Sequence, residues 1–87
     1  MYTIIARKWF QKTYGNTYHS CEVYKDGELI KRVPFAYGYG EQYRQTAHEI
    51  LVNAGLFDGD YHDFLMAIRD YDNWLFSVTN VERKKDL

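Results

Sequence analysis

The sequence has one cysteine, one proline and six glycines among 87 residues, and each scarcity removes a class of structure. Cys21, standing alone, can form neither an intramolecular disulfide nor a cysteine-based zinc cluster, which points to a reducing, intracellular setting. No stretch is rich enough in proline, glycine or serine to read as a linker, and no repeat or low-complexity tract interrupts the chain. One small domain is therefore expected. Long hydrophobic runs are also missing. Arg7 and Lys8 break the short apolar stretch near the start, so it does not read as a signal peptide. No segment approaches the roughly 20 apolar residues that span a bilayer. Lys84-Lys85-Asp86-Leu87 is not a secretory-retention tetrapeptide. These gaps predict a soluble, cytoplasmic protein with no membrane partner.

An excess of one charge is lacking as well. The net charge of −1 gives no global electrostatic signature of a nucleic-acid or membrane binder. The distribution is less even: residues 1–44 carry seven Lys/Arg against four Asp/Glu, residues 45–82 one Arg against seven acids, and the last five residues a balance of +2. What the chain has in quantity is aromatic side chains, sixteen of them, nine being tyrosine. They enlarge the modest core that a chain this short can bury, at little cost in side-chain entropy.

Alternation of residue type predicts a first strand from Tyr2 to about Lys12, with Tyr2, Ile4 and Ala6 on one face and Ile5, Arg7 and Trp9 on the other. A turn over residues 13–17 leads to a second strand from Tyr18 to Tyr24. Asp26-Gly27 signals a two-residue hairpin, because a type I′ turn needs positive φ at both positions. In the resulting register Val23 opposes Ile30 and Glu22 opposes Lys31, a cross-strand ion pair. Pro34 is expected to end the third strand, since it donates no ladder hydrogen bond.

The glycines Gly38 and Gly40 then break the pattern, and the apolar period becomes helical. Tyr43, Ala47, Ile50, Leu51 and Ala54 fall on one face, and Gly55 with Leu56 is placed to close the helix. Asp58 or Asp60 can cap a short second helix from Tyr61 to about Arg69, with Phe64, Leu65 and Ile68 inward. Trp74 to Val81 alternates as a fourth strand, and residues 82–87 read as a polar tail. The expected fold is α+β: an antiparallel four-stranded sheet packed by one main and one short helix, in the order β-β-β-α-α-β.

Several groups of residues invite a functional reading, each beside a plainer one. Arg7, Lys8, Lys12, Tyr14, Tyr18, Lys31 and Arg32 interleave cations with aromatics, and a sheet face of that kind can stack unpaired bases. The plainer reading is strand lysines that discourage edge-to-edge aggregation. Asp58, Asp60, Asp63, Asp70 and Asp72 make an acidic segment that can present carboxylates to a basic protein partner, or simply cap two turns. Tyr37-Gly38-Tyr39-Gly40 feeds a helix start, where free N–H groups hold anions such as a phosphate ligand. No Gly-Lys-Ser/Thr follows, and Glu41 sits where the phosphate would go, which favours a tight structural connection. His19, His48 and His62 lack the spacing of metal ligands, so no metal and no other cofactor is implied. Cys21 two residues from His19 does not by itself make a nucleophile dyad, and no paired catalytic motif points to an enzyme.

Arg7-Lys8-Trp9-Phe10, Gly15-Asn16-Thr17-Tyr18-His19-Ser20, Tyr37-Gly38-Tyr39-Gly40 with Gln42-Tyr43 and Thr46-Ala47, and Val81-Glu82-Arg83-Lys84-Lys85-Asp86-Leu87 together resemble small uncharacterised proteins encoded by bacteriophages and prophages. The resemblance runs over nearly the whole chain. It implies a phage setting in a host cytoplasm and carries over no catalytic residue. Phage proteins of this size are often accessory factors, inhibitors of bacterial defence complexes among them. The first expectation is thus a non-enzymatic interaction protein, monomeric or homodimeric, binding a host or phage protein through the acidic segment. A single-stranded nucleic-acid-binding module is the second, and a small phosphate-binding protein the third.

Overall fold

The structure, a computed structural model, describes residues 1–87. Strands β1 (Tyr2–Gln11), β2 (Asn16–Lys25) and β3 (Glu28–Tyr37) form a meander, followed by helices α1 (Gln42–Asn53) and α2 (Tyr61–Ala67) and strand β4 (Trp74–Val81). The α+β class and the order of the elements follow the sequence pattern. The sheet, however, is mixed and not purely antiparallel. Its strand order is β3-β2-β1-β4, and β4 lies parallel to β1. The reason is the helical crossover. Two antiparallel steps leave β3 running in the direction of β1, α1 carries the chain back, and β4 starts again from the same end.

The β2–β3 turn is of the primed type, with φ of 51° at Asp26 and 84° at Gly27, a twist that matches the flanking strands. The Met1 ammonium adds an exposed ion pair to Asp26 at 2.6 Å. Lys25 faces Glu28 and Tyr24 faces Leu29, as the turn dictates, but the register then shifts. Ile30 is an extra residue on β3, so Val23 faces Lys31, Glu22 faces Arg32 and Cys21 faces Val33. The Glu22–Lys31 pair expected from an unbroken ladder is therefore replaced by Glu22–Arg32. A second irregularity falls between Val33 and Ala36 and contains Pro34. Because that bulge sits on an edge strand, the missing N–H costs no ladder bond, and β3 continues to Tyr37 instead of ending.

Tyr43, Ala47, Ile50 and Leu51 bury the inner face of α1. Ala54, expected among them, is the exposed C-cap residue. Beyond it the Gly55 N–H donates to the Val52 carbonyl and the Leu56 N–H to the Leu51 carbonyl, at 3.0 and 2.9 Å. This is the double bond pattern of a Schellman closure, and the φ of 73° at Gly55 permits it. α2 opens with a capping box in which Asp60 and Asp63 each accept the other's backbone N–H. Phe64 is fully buried, while Leu65 and Ile68 are half-buried.

Both helices cover one face of the sheet, where Ile4, Cys21, Val23, Ala47, Ile50, Leu51, Phe64 and Trp74 form the core. Each large apolar side chain removed from water there contributes about 1.5–3 kcal/mol. Phe57, Phe64 and Trp74 meet edge to face. No helix is long and apolar enough to cross a membrane.

Candidate functional site

The face of the sheet turned away from the helices is organised by one carboxylate. Glu22, its side chain 14 % exposed, receives Arg7 Nη1 at 2.9 Å and Arg32 Nη1 at 3.1 Å on Oε1. The Tyr24 hydroxyl donates to Oε2 at 2.5 Å. Tyr24 above all, then the two guanidinium groups, hold the Glu22 carboxyl below its ordinary range, and Glu22 in turn raises Tyr24. Both arginines of this face are thus matched to one internal anion.

Beside this cluster runs a row of rings. Trp9 stacks on Tyr18 at 5.6 Å between centroids and Tyr18 on Phe35 at 4.6 Å, with Tyr37 and Tyr39 continuing edge to face. Trp9, Tyr18 and Phe35 turn their faces to each other, which takes up flat surface that a nucleobase would stack on, while Tyr37 and Tyr39 meet edge to face and stay exposed. Residues 82–87, expected as a polar tail, run back across this face as a strap with a 3-10 turn at Lys84–Asp86. The Lys84 ammonium sits 4.7 Å from the centre of the Phe35 ring, and Arg32 Nη2 donates to the Leu87 carbonyl at 2.9 Å. The strap leaves β4 at one edge and fastens to β3 at the other. Beneath this face Ser20 is fully buried, and its hydroxyl has no hydrogen-bond partner.

The basic aromatic set is divided by this geometry. Arg7, Tyr18 and Arg32 belong to the strap face. Lys8 pairs with His19 on the helix side, its ammonium 5.7 Å from the Tyr43 ring. Lys31 sits opposite Val23 on that same side of edge strand β3, and Lys12 and Tyr14 lie in the β1–β2 turn. The acidic set is divided too. Asp60 and Asp63 are engaged in the α2 cap, and the Asp63 backbone N–H is the main reason the Asp60 carboxyl lies below its ordinary value. Asp70 ties the turn before β4, accepting from the Asn73 side-chain amide at 2.6 Å and the Asp72 N–H at 3.2 Å. Only Asp58 and Asp72 of the five make no hydrogen bond through their carboxylates.

The Tyr37–Gly40 loop is drawn inward. The Gly38 N–H donates to the Thr17 carbonyl, and the Tyr39 hydroxyl lies 3.1 Å from Asn16 Oδ1 and 3.3 Å from the Gly15 carbonyl. The chain packs so closely at Gly38 that any Cβ there would strike Gln42. The loop thus latches the β1–β2 turn to the start of α1.

The histidines lie apart. Thr46 donates its hydroxyl to the Gln42 carbonyl and therefore accepts from His19 Nε2–H at 2.7 Å, which leaves buried His19 Nδ1 unpartnered. Burial, then the nearby Lys8 charge, pushes His19 below its ordinary value. His48 Nε2 donates to the Gly59 carbonyl at 2.9 Å, and His62 is exposed. No group of three or more His, Cys, Asp and Glu side chains converges. Burial pushes the Cys21 thiol up to about 12, so the fully buried sulfur is a core atom and a poor nucleophile.

No family model, curated protein or solved structure matches the chain. The surface itself must therefore carry the functional reading.

A second surface lies along β4 and the helices beside it. Tyr43, Leu65, Ile68 and Phe76 floor a groove of about 380 Å³, with Arg44, Arg69, Tyr71 and Val78 around it. Tyr71 is 82 % exposed. Arg44 spans the groove between Glu41, at 3.5 Å, and the Phe76 ring, and its buried Nε has no acceptor. Arg69 forms no ion pair. Sequence reading missed this groove because its residues come from three elements. One local signal was present: Asn73–Val81 is a run without charge between Asp72 and Glu82.

Proposed function

We propose that this chain is a non-enzymatic interaction protein whose working surface is the groove between α1, α2 and β4. The observation that carries the reading is the contrast between its surfaces. On the strap face both arginines are bonded to Glu22 and Trp9, Tyr18 and Phe35 are stacked on each other, whereas in the groove apolar floor, exposed tyrosine and unpaired Arg69 are all left for a partner. Tyrosine and arginine beside an apolar floor are the residue types that anchor protein interfaces. The matching partner is a protein segment that inserts an apolar side chain and sets a carboxylate beside Arg69 and Arg44. In the phage setting implied by the sequence resemblance, that partner is a host or phage protein, with a defence complex the first candidate.

The test is affinity capture from infected-host lysate, with and without nuclease, using wild type, Arg69→Glu with Tyr71→Ala, and Arg7→Ala with Arg32→Ala. Capture of one protein, insensitive to nuclease and lost about tenfold or more in the groove variant, supports the reading. Capture abolished by nuclease overturns it in favour of nucleic acid, and nuclease-insensitive capture lost only in the strap-face variant overturns it in favour of a partner on the strap face.

A further inference from the structure

The two edges of the sheet are built differently. β3 carries two bulges, Pro34, Lys31 and Arg32, all devices that keep a foreign strand from pairing. β4 has none of them. Trp74–Val81 keeps unbroken register with β1 over its eight residues and contains no charged residue and no proline. Beyond that ladder its only backbone hydrogen bond runs from the Trp74 N–H to the Asp70 carbonyl in the preceding turn. Its outer row of N–H and C=O groups is therefore free. This open edge adjoins the groove. Phe76 and Val78, opposite Ile4 and Ala6 in the ladder, point to the helix side and line it. Every second side chain of a strand laid along β4 would fall beside them, on the same side of the sheet.

We infer that β4 takes an extended segment of the partner protein as a fifth strand, with apolar side chains at alternate positions on the helix side and one carboxylate between them. The inference rests on the groove being the working surface and adds how the partner is held. Main-chain hydrogen bonds to β4 attach the segment, and the groove reads every second side chain. Charge selects this occupant. The Arg44 guanidinium lies 5.9 Å from the centre of the Phe76 ring, at the middle of the strand. Its anionic neighbour is Glu41 at 3.5 Å, and its Nε has no acceptor. Arg69, in the same groove, forms no ion pair. A carboxylate opposite Phe76 would face these two arginines. At either end of the added strand it would instead meet an acid, Asp72 before β4 or Glu82 directly after it, neither of them in an ion pair. Lys12 shares a cleft with Glu82 without pairing to it, and Arg83 is held by Asp86 at 3.4 Å. A second β4 does not fit this description, because Trp74–Val81 has no carboxylate to offer the arginines.

The experiment selects a randomised seven-residue peptide library on beads against the purified full chain, then measures the best peptide by fluorescence anisotropy and hydrogen exchange. Enriched peptides should carry Asp or Glu at one position, with apolar residues two before and two after it. Arg69→Glu with Tyr71→Ala, its folding checked by circular dichroism, should weaken binding about tenfold or more. Methylating the alternate peptide nitrogens that turn toward β4 should abolish binding, and methylating the other set should not; this scan needs no protein variant. The alternate β4 amides that do not bond to β1 should become protected when the peptide binds. Binding that the groove variant weakens, but that neither methylated set nor β4 exchange registers, overturns the added strand and leaves the groove reading standing. Binding that the groove variant leaves intact overturns both. A library that enriches no acid-centred alternating pattern overturns the inference. So do outer β4 amides already protected in the concentrated free chain and released on dilution, which would place a second copy on the edge.

Discussion

Single residues on this protein are held by burial as much as by bonds, and His19 is the sharpest instance. It is 1 % exposed, donates one hydrogen bond to Thr46 and has a second nitrogen with no partner. Its folded value lies below the ordinary one because burial, then Lys8, disfavour the charged ring. The unfolded chain takes up a proton as pH falls through about 6.5, while the folded chain resists it. Stability from this group is therefore complete above about pH 6.5 and is lost as pH falls through the folded value, by about 1.4 kcal/mol for each pH unit that separates the two. Denaturation midpoints at pH 7.5 and 5.5 should fall for wild type and change much less for His19→Gln. Glu22, Asp26 and Asp60, whose values are lowered, act in the same direction but in the acid range below the ordinary carboxylate value. None of this was legible in the sequence: His19 stands in a strand like any other residue, and only the packing of α1 shows that Thr46 is its partner.

At the scale of elements the sequence was informative wherever the structure is local. The Asp26-Gly27 turn, the Gly55 closure of α1, the Asp60 cap and the bounds of β4 each follow from a few neighbouring residues. The turn gives a direct check. Gly27→Val should cost about 1–2 kcal/mol, because a β-branched residue resists the positive φ there. Lys25→Ala should stay within about 0.5 kcal/mol, as a surface change outside the turn's two central residues. Urea midpoints at unchanged m-value measure both, and equal values would remove the primed turn as a determinant of register. What was not legible depends on long-range packing. Ile30 as an extra residue moves Glu22 from Lys31 to Arg32, and nothing in its immediate neighbours marks it. The division of Arg7 from Lys8 was already implied by strand alternation, which places adjacent residues on opposite faces. The groove required α1, α2 and β4 to be brought together before Arg44, Leu65 and Phe76 became neighbours.

For the whole molecule, the sheet and the strap bind parts of the chain that are distant in sequence. β1 pairs with β2 through a four-residue turn, Lys12–Gly15, but its partnership with β4 joins Tyr2 to Trp74. The difference fixes an order of events. Hairpins close in about 1–10 µs, whereas the β1–β4 pairing must wait until the helical crossover between them is compact, since closing a long loop costs entropy that no early contact repays. β4 and the strap should therefore dock last and release first. In native-state hydrogen exchange under mild denaturant, amides of β4 should open at a lower free energy than those of β2, and the two sets should merge only at global unfolding. Equal protection of β2 and β4 throughout would contradict this. A chain that releases β4 before the meander gives way bares a second raw edge, that of β1, so the parallel pairing that completes the native sheet also defines the form in which this protein is most open to misassembly.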